Sequence, residues 1–259
     1  MSAGEADRHA SGAGSPAESR RTIQYQEWRD LLFLHWPVPP EDLREAVPAR
    51  LSLDRHQGMA YVGVIAFAIF GVRPPLVPRM LSMRFLETNV RTYVTLSGRE
   101  PGIYFFSLDA ASRVAVALAR LGFGLPYYHA RMRLRKRGDS VEYRLRRSGG
   151  GRTLLGVDYQ IGQFLGPSLP GSLEHFLIER YRFHLQLGEE ISTCQVRHAP
   201  YALRSARVEA LEENLLVAAG LPPPSGLPPI VHYSPGVDVE VLAPVKRDAR
   251  MFEPEGGDG

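Results

Sequence analysis

The sequence is poor in the residues that build disulfide frameworks, metal clusters and membrane spans. It has one cysteine, Cys194, which excludes an intramolecular disulfide and any multi-cysteine metal site. Its longest apolar run, from Met59 to Phe70, contains Gly63 and falls well short of the roughly 20 residues that a membrane-spanning helix needs. These shortages predict a protein of the reducing cytoplasm with no membrane partner.

Lysine is scarce as well, since Lys136 and Lys246 are the only two in 259 residues. The net charge is +3, which is weak evidence for an acidic partner. No glycine-rich loop precedes a lysine and a hydroxyl residue, and no G-x-S-x-G elbow occurs, so P-loop and nucleophile-elbow chemistry are disfavoured. The eight histidines form no zinc-binding helix motif. We predict neither a metal nor a cofactor.

The composition is that of a globular protein, with 44% hydrophobic and 23% charged residues. The first 22 residues are rich in alanine, glycine and serine and lack the apolar stretch of a secretory signal. We expect a disordered leader over 1–22 and, from similar composition, a disordered tail over 248–259. No long linker interrupts residues 23–247, which predicts a single domain.

Strand signals dominate this central region. Runs rich in β-branched and aromatic residues predict strands at 25–36, 59–67, 85–96, 103–108, 195–208 and 237–242, with a hairpin at 130–147. Because strand follows strand, we expect antiparallel pairing in a mainly β (α+β) fold.

A few helices interrupt the strands. Short helices are predicted at 41–47, 112–120 and 212–219. The strongest helix signal covers Ser172–Gln186, where Ser172 suits the N-cap and Gly188 follows the end.

Arginines alternate with apolar residues along the predicted hairpin at 130–147, so the guanidinium groups share one face. This face could bind nucleic acid or another anion. The alternative is a solvated outer face, which we favour because the hairpin carries no matching set of exposed aromatics for base stacking. Nucleic acid is therefore not an expected partner.

Six segments carry a resemblance to a known family. They are residues 31–54 (LLFLHWPVPPEDLREAVPARLSLD), 60–75 (AYVGVIAFAIFGVRPP), 85–94 (FLETNVRTYV), 102–110 (GIYFFSLDA), 125–132 (LPYYHARM) and 172–181 (SLEHFLIERY). In this order and spacing, the segments resemble the YqjF-like family of unknown function, a relative of acetoacetate decarboxylase. The resemblance covers about residues 25–245. It implies an antiparallel, cone-shaped β-barrel with short helices and a central cavity that holds one small ligand.

The resemblance also implies that the chemistry has changed. Acetoacetate decarboxylase works through a Schiff base on a lysine in a Pro-Lys-Lys segment, and the segment here that looks equivalent is Pro126-Tyr127-Tyr128. Neither Lys136 nor Lys246 lies in such a motif. We therefore do not expect Schiff-base decarboxylation, and whether the protein is an enzyme stays open.

The glutamate of the decarboxylase site corresponds to Glu87 in this resemblance, and its first-strand arginine is replaced near His35 and Trp36. Glu87, Asn89 and Arg91 are spaced i, i+2, i+4, so on a strand they share one face. If that face lines the cavity, a carboxylate, an amide and a guanidinium converge there.

From these residues we predict Glu87 and Tyr127 as catalytic groups. The predicted ligand-binding residues are Asn89, Arg91, Tyr128, His35 and Trp36. The structural alternative is a Glu87–Arg91 ion pair with Tyr127 and Trp36 as core packing.

Two functions fit these predictions. One is an enzyme on a keto or carboxylate compound, and the other is a non-catalytic ligand-binding or sensor module. A homo-oligomer is compatible with both. Fold alone does not choose between them.

Overall fold

The computed structural model describes residues 20–149, 153–188, 190–223 and 226–247. Thirteen β-strands lie in these ranges: β1 (Thr22–Val38), β2 (Leu51–Leu53), β3 (Ala60–Arg73), β4 (Met83–Leu96), β5 (Glu100–Ala110), β6 (Tyr127–Arg137), β7 (Ser140–Arg147), β8 (Leu154–Gly166), β9 (Arg182–Leu187), β10 (Glu190–Arg197), β11 (Leu203–Glu213), β12 (Ile230–Leu242) and β13 (Val245–Arg247). Most of the predicted leader and all of the predicted tail lie outside the described residues.

The helices between the strands are short. They are α1 (Pro40–Arg44), α2 (Arg113–Phe123), α3 (Leu173–Ile178) and α4 (Leu215–Ala218), with a 3₁₀ turn at Arg79–Leu81. In the described ranges, no helix is both long and apolar enough to cross a lipid bilayer.

The strands form one sheet that closes on itself twice. The nine-strand ring runs β5-β6-β7-β8-β11-β12-β1-β3-β4 and returns to β5. The seven-strand ring is closed by β9 and β10, which connect β5 back to β12. Strands β12, β1, β3, β4 and β5 belong to both rings and form a shared wall. All pairings are antiparallel except those of β5 with β6 and with β9. The predicted mainly β fold with antiparallel pairing and short helices is thus confirmed, and the sheet closes as two fused rings.

A separate apolar core lies on each face of the shared wall. Because successive strand residues point to opposite faces, Leu32 and Leu34 of β1 pack inside the nine-strand ring, whereas Leu31 and Phe33 pack inside the seven-strand ring. Burying one such side chain contributes roughly 1.5–3 kcal/mol. The position of a wall residue along its strand therefore decides which ring its side chain enters.

Paired irregularities change this alternation in β1 and β12. Asp30 has a φ of 51°, and Gly236 of β12, opposite Arg29, has a φ of 134°. A Cβ added to Gly236 would lie 2.0 Å from the carbonyl oxygen of Trp28, so this close approach requires glycine. The register between β1 and β3 also shifts here. As in other β-bulges, the irregularity shifts the alternation of side chains between the two faces. Trp28 and Leu31 therefore both face the seven-strand ring.

The helix predicted over Ser172–Gln186 is wrong in its second half. Ser172 does cap α3, because its hydroxyl accepts a backbone N–H, but the helix ends at Ile178. The carboxylate of Glu179 then accepts a hydrogen bond from the backbone N–H of Tyr201 at 2.9 Å. The chain continues as β9, which pairs with β10 along its length. Strand pairing supplied by the tertiary fold overrides the local helix propensity.

The predicted hairpin is confirmed as β6 and β7, and its arginine face is exposed. Arg131 lies opposite Arg146, and Arg133 lies opposite Arg144. Like charges in direct opposition destabilise a sheet slightly. Part of this charge is compensated, because Arg144 donates to both carboxylate oxygens of Asp158, at 2.6 and 2.9 Å. That pairing is typical of a solvated outer face.

Candidate functional site

Strand β4 presents a polar row to the interior of the seven-strand ring. Glu87, Asn89 and Arg91 all face this interior, as their i, i+2, i+4 spacing predicts. Thr88 faces the nine-strand ring instead, where its hydroxyl lies 2.8 Å from that of Tyr143. One strand therefore carries an ordinary hydrogen-bonded core residue on one face and three buried polar side chains on the other.

The seven-strand ring encloses a cavity of about 200 Å³. Glu87, Asn89, Arg91 and Tyr127 all line it. Most of the remaining wall is apolar and includes Phe33, Ile65, Phe67, Phe85, Phe105 and Phe183. A mainly apolar cavity with a few convergent polar groups is typical of a small-molecule site.

Glu87 and Tyr127 form a hydrogen-bonded pair in this cavity. The Tyr127 hydroxyl donates to Oε2 of Glu87 at 2.8 Å. Burial raises the pKa of Glu87 to about 7, and the nearby charge of Asp109 adds to the rise, while the hydrogen bond from Tyr127 opposes it. Burial and the Glu87 charge raise the pKa of Tyr127 well above its usual value. At neutral pH, Glu87 can therefore both give and take a proton, whereas Tyr127 remains a donor.

Arg91 is a buried cation with only neutral partners. The residue is 8% exposed. Its Nη2 donates to the carbonyl oxygen of Leu177 at 3.0 Å and lies 3.5 Å from the Tyr93 hydroxyl, while Nε has no partner. No described carboxylate forms an ion pair with Arg91, so the alternative of a Glu87–Arg91 ion pair is wrong. Their Cα atoms are four strand residues apart, about 13 Å.

Behind Arg91, His35 positions Tyr93 rather than lining the cavity. The Tyr93 hydroxyl donates to the Leu177 carbonyl at 2.7 Å and also lies 2.7 Å from His35 Nε2, so Nε2 must be the donor of that second bond. Burial, with the neighbouring charges of Arg91 and His232, lowers the pKa of His35 well below its usual value. His35 is therefore a neutral support for the guanidinium site.

The structure places Trp36 and Tyr128 outside the cavity, contrary to their predicted positions. Trp36 packs in the nine-strand ring, and its Nε1 donates to the carbonyl oxygen of Gly226 at 3.3 Å. Tyr128 lies on the outer surface under the guanidinium of Arg147, which is 3.8 Å from its ring centroid. The reason is strand geometry: Tyr128 follows Tyr127, which faces the cavity, and Trp36 shares the face of Leu34, which packs in the nine-strand ring.

Neither lysine lines the cavity. Lys136 donates to Asp30 and to Tyr233, both at 2.7 Å, on the nine-strand side of the shared wall. The exposed Lys246 pairs with Glu190 at 2.8 Å. The cavity thus offers no lysine amine for a Schiff base.

The other chemical groups near the cavity are inert or scattered. Cys194 is fully buried, and burial raises the pKa of its thiol to about 12, so it is not a nucleophile at neutral pH. Over the described ranges, no group of three or more histidine, cysteine, aspartate or glutamate side chains is arranged to hold a metal ion.

Sequence reasoning missed part of the site. Tyr93 continues the i, i+2 series of Glu87, Asn89 and Arg91 and could have been found from that periodicity. The carbonyl of Leu177 and the side chain of Ile178 come from the end of α3, and the overlong helix prediction concealed this turn of the chain.

Solved structures share this arrangement of strands. The enduracididine biosynthesis enzyme MppR, in complex with pyruvate, matches with a TM-score of 0.61 at 12% identity over 89% of this chain and 93% of its own. An acetoacetate decarboxylase-like enzyme from Sphingomonas wittichii RW1 matches with a TM-score of 0.59 at 13% identity, over 92% and 98% of the two chains. At these identities the likeness concerns the fold alone. It shows that the chain has the acetoacetate decarboxylase-like fold.

Sequence similarity then gives the family. The profile of the DUF2071 family, described as an uncharacterized conserved protein, matches residues 25–238, and the chain belongs to this family. The uncharacterized protein YqjF of Bacillus subtilis (strain 168) is 36% identical over 218 residues, which cover 84% of this chain and 89% of YqjF. The YqjF-like assignment predicted from the six sequence segments is therefore confirmed.

Proposed function

We propose that the cavity of the seven-strand ring binds a small keto or carboxylate compound and that Glu87 transfers a proton to or from it. One observation carries the proposal: a carboxyl group with a pKa near 7 and a guanidinium without a counter-ion line the same cavity. An acid–base group works best when its pKa is close to the operating pH. A buried cation without a carboxylate partner favours an anionic ligand.

Each polar group has a role in this proposal. Arg91 binds a carboxylate or carbonyl oxygen of the ligand. The Glu87 carboxylate removes a proton from the carbon beside the carbonyl, and the electron pair of that C–H bond moves towards the carbonyl oxygen, which a hydrogen-bond donor stabilises. Arg91 is one such donor, and the Tyr127 hydroxyl, which donates to Glu87, can turn to this oxygen once Glu87 has taken up the proton. The pyruvate complex of MppR shows that a neighbour with this fold holds such a compound.

Proton exchange in D₂O tests the catalytic part. Pyruvate and acetoacetate are incubated with the protein, and loss of the proton signal beside the carbonyl is followed by NMR. We expect Glu87→Gln to reduce the exchange rate at least about 100-fold, the lower range for loss of general acid–base catalysis. Thr88→Val, on the opposite face of β4, serves as the matched control and should keep the rate. Equal rates in wild type and Glu87→Gln would reject this role.

A non-catalytic ligand-binding module is the second candidate, and the absence of a lysine from the cavity wall favours it over a decarboxylase. Borohydride treatment with acetoacetate should leave the protein mass unchanged. Pyruvate binding that depends on Arg91, without any proton exchange, would select this second function. A stable borohydride adduct on Lys136 or Lys246 would contradict the lysine argument.

We also propose that residues 23–247 fold as one domain in the cytoplasm. The five strands of the shared wall belong to both rings, so the chain cannot be divided into two units that each keep a closed ring. The single cysteine is buried and reduced, which suits a reducing compartment. Limited proteolysis should leave one protected fragment of this length; two stable fragments would contradict a single domain.

A further inference from the structure

The cavity has a direction along β4. On the face that lines it, Met83 and Phe85 are half-buried, whereas Glu87, Asn89 and Arg91 are buried. From Met83 to Arg91 the strand advances about 26 Å. The cavity therefore opens at the start of β4 and is closed near Arg91.

The closed end carries uncompensated polar groups. Arg91 and Asn89 are more than nine-tenths buried. Neither Nε of Arg91 nor Oδ1 of Asn89 has a hydrogen-bond partner. Arg182 of β9 also lines the cavity, next to the β5–β9 pairing, and its Nε is likewise buried without a partner. Arg180 differs, because it pairs with Asp54 at 2.7 Å. Two guanidinium groups with no ion pair among the described residues face the closed end.

The open end is lined mainly by apolar side chains, with two glutamines of β1 beside them. Helix α2 contributes Ala115 and Leu118 to the wall, and Leu118 is 56% exposed, so it lies at the boundary between cavity and solvent. The glutamines of β1 at this end bond to each other, with Gln26 donating to Gln24 at 2.6 Å. Between the two ends, phenylalanine and branched aliphatic side chains form most of the wall.

We propose that the ligand is an amphipathic monocarboxylate, with its carboxylate at Arg91 and an unbranched apolar tail that extends past Glu87 and leaves the cavity beside Leu118. This inference rests on the proposed function for its anion at Arg91 and adds the tail and its direction. The lining fits such a molecule, with guanidinium groups at the closed end and mostly apolar side chains along the wall and at the mouth; Glu87 and Tyr127 are the polar groups that the tail would pass.

A chain-length series tests the tail. Acetate, butanoate, hexanoate and octanoate are titrated by calorimetry at constant ionic strength and at pH 6, with 1-octanol as the uncharged counterpart. Each added methylene should tighten binding roughly fourfold, because burying one CH₂ contributes about 0.8 kcal/mol. Octanoate should bind at least about tenfold more tightly than 1-octanol, since a hydrogen bond to a charged group contributes about 1.5–3 kcal/mol. Affinity that is flat or falls with chain length would overturn the proposal.

Three variants locate the two ends of the ligand. Arg91→Gln should remove the preference for octanoate over 1-octanol. Leu118→Asp should weaken octanoate about tenfold and leave butanoate unchanged. Leu121→Asp is the matched control, because Leu121 lies on the same helix, is 87% exposed and does not line the cavity. Equal weakening by the Leu118 and Leu121 variants would place the tail elsewhere and contradict the proposed exit.

Pyruvate separates the failure of this inference from the failure of the proposed function. If pyruvate binds in an Arg91-dependent way while octanoate binds no better than butanoate, the tail is rejected and the keto-acid site stands. If neither pyruvate nor any of the four carboxylates binds, both proposals fall. Tight octanoate binding that Arg91→Gln leaves unchanged would keep an apolar site but reject the orientation proposed here.

Discussion

The two faces of β4 differ in how their polar side chains are partnered. On the nine-strand side, Thr88 and Tyr143 bond to each other, and the Tyr143 hydroxyl also donates to the carbonyl oxygen of Glu87 at 3.1 Å. On the seven-strand side, one residue further along β4, Asn89 and then Arg91 keep buried atoms without partners. Buried polar groups are normally satisfied, so exceptions require an explanation. On β4, the face towards the seven-strand ring therefore keeps hydrogen-bonding atoms without partners, whereas the opposite face does not.

The largest expected effect concerns the titration of Glu87. Its folded pKa, about 7, lies above the ordinary value of 4.5, so the folded state holds this proton more tightly. Protonated Glu87 therefore makes its full contribution to the free energy of unfolding below pH 4.5. This contribution is lost as the pH rises through 7, and the total loss is about 3 kcal/mol. Glu87→Gln cannot ionise and so avoids this loss. In urea unfolding, the free energy of unfolding of the variant minus that of the wild type should be about 2–3 kcal/mol greater at pH 8 than at pH 5.

The control for this experiment is Glu142→Gln, which changes an exposed carboxylate on the hairpin. Its effect should differ by less than about 0.5 kcal/mol between the two pH values. If Glu87→Gln behaves in the same way, Glu87 titrates normally and the contrast between the two faces is lost.

A second experiment uses substitutions at two neighbouring residues of β3 to compare how tightly the two cores are packed. Val64 packs in the nine-strand ring, whereas Ile65 lines the cavity. We expect Val64→Phe to lower the free energy of unfolding by about 2–3 kcal/mol through overpacking. Ile65→Phe should cost less than about 1 kcal/mol, because its larger ring can enter the cavity. Chemical denaturation measures both, and equal costs would show that the seven-strand core is as filled as the other.

The smallest effect comes from neighbouring polar residues of β4. Thr88→Val removes a satisfied hydrogen bond and should cost about 1 kcal/mol. Asn89→Leu removes an unsatisfied buried oxygen, so without a ligand its free energy of unfolding should equal or exceed that of wild type. A clear loss of stability for Asn89→Leu would mean that Asn89 has a structural role, which would weaken the case for a ligand.

The two-residue period of a strand correctly predicted the central part of the site. The same period excludes two of the other residues that we predicted to line the cavity. The i, i+2, i+4 spacing placed Glu87, Asn89 and Arg91 on one face, and the structure agrees. The same rule forbids neighbouring residues from sharing a face, so Tyr128 beside Tyr127 could not have joined them on a regular strand. Trp36 beside His35 follows the same geometry. These two positions could have been corrected from the sequence alone.

Other features depend on contacts between distant segments and are not visible in local sequence. The bulge at Asp30 and Gly236 arises from two strands about 200 positions apart in the chain, as their pairing shows. The end of α3 at Ile178 depends on a hydrogen bond from the Tyr201 backbone to Glu179. Local patterns cannot predict such long-range pairings, which is why the alternation in β1 and the helix boundary were missed.

The ionisation of Glu87 in the folded protein is the most direct test of a proton-transfer role for this cavity. Carboxyl carbons of ¹³C-labelled glutamate are followed by NMR as a function of pH, and the Glu87 signal is assigned by its absence in Glu87→Gln. We expect a midpoint near 7, with the Tyr127→Phe variant titrating higher because the hydrogen bond that lowers the pKa is lost. A midpoint near 4.5 in the wild-type protein would show that Glu87 is fully ionised at neutral pH and would contradict the proposed acid–base role.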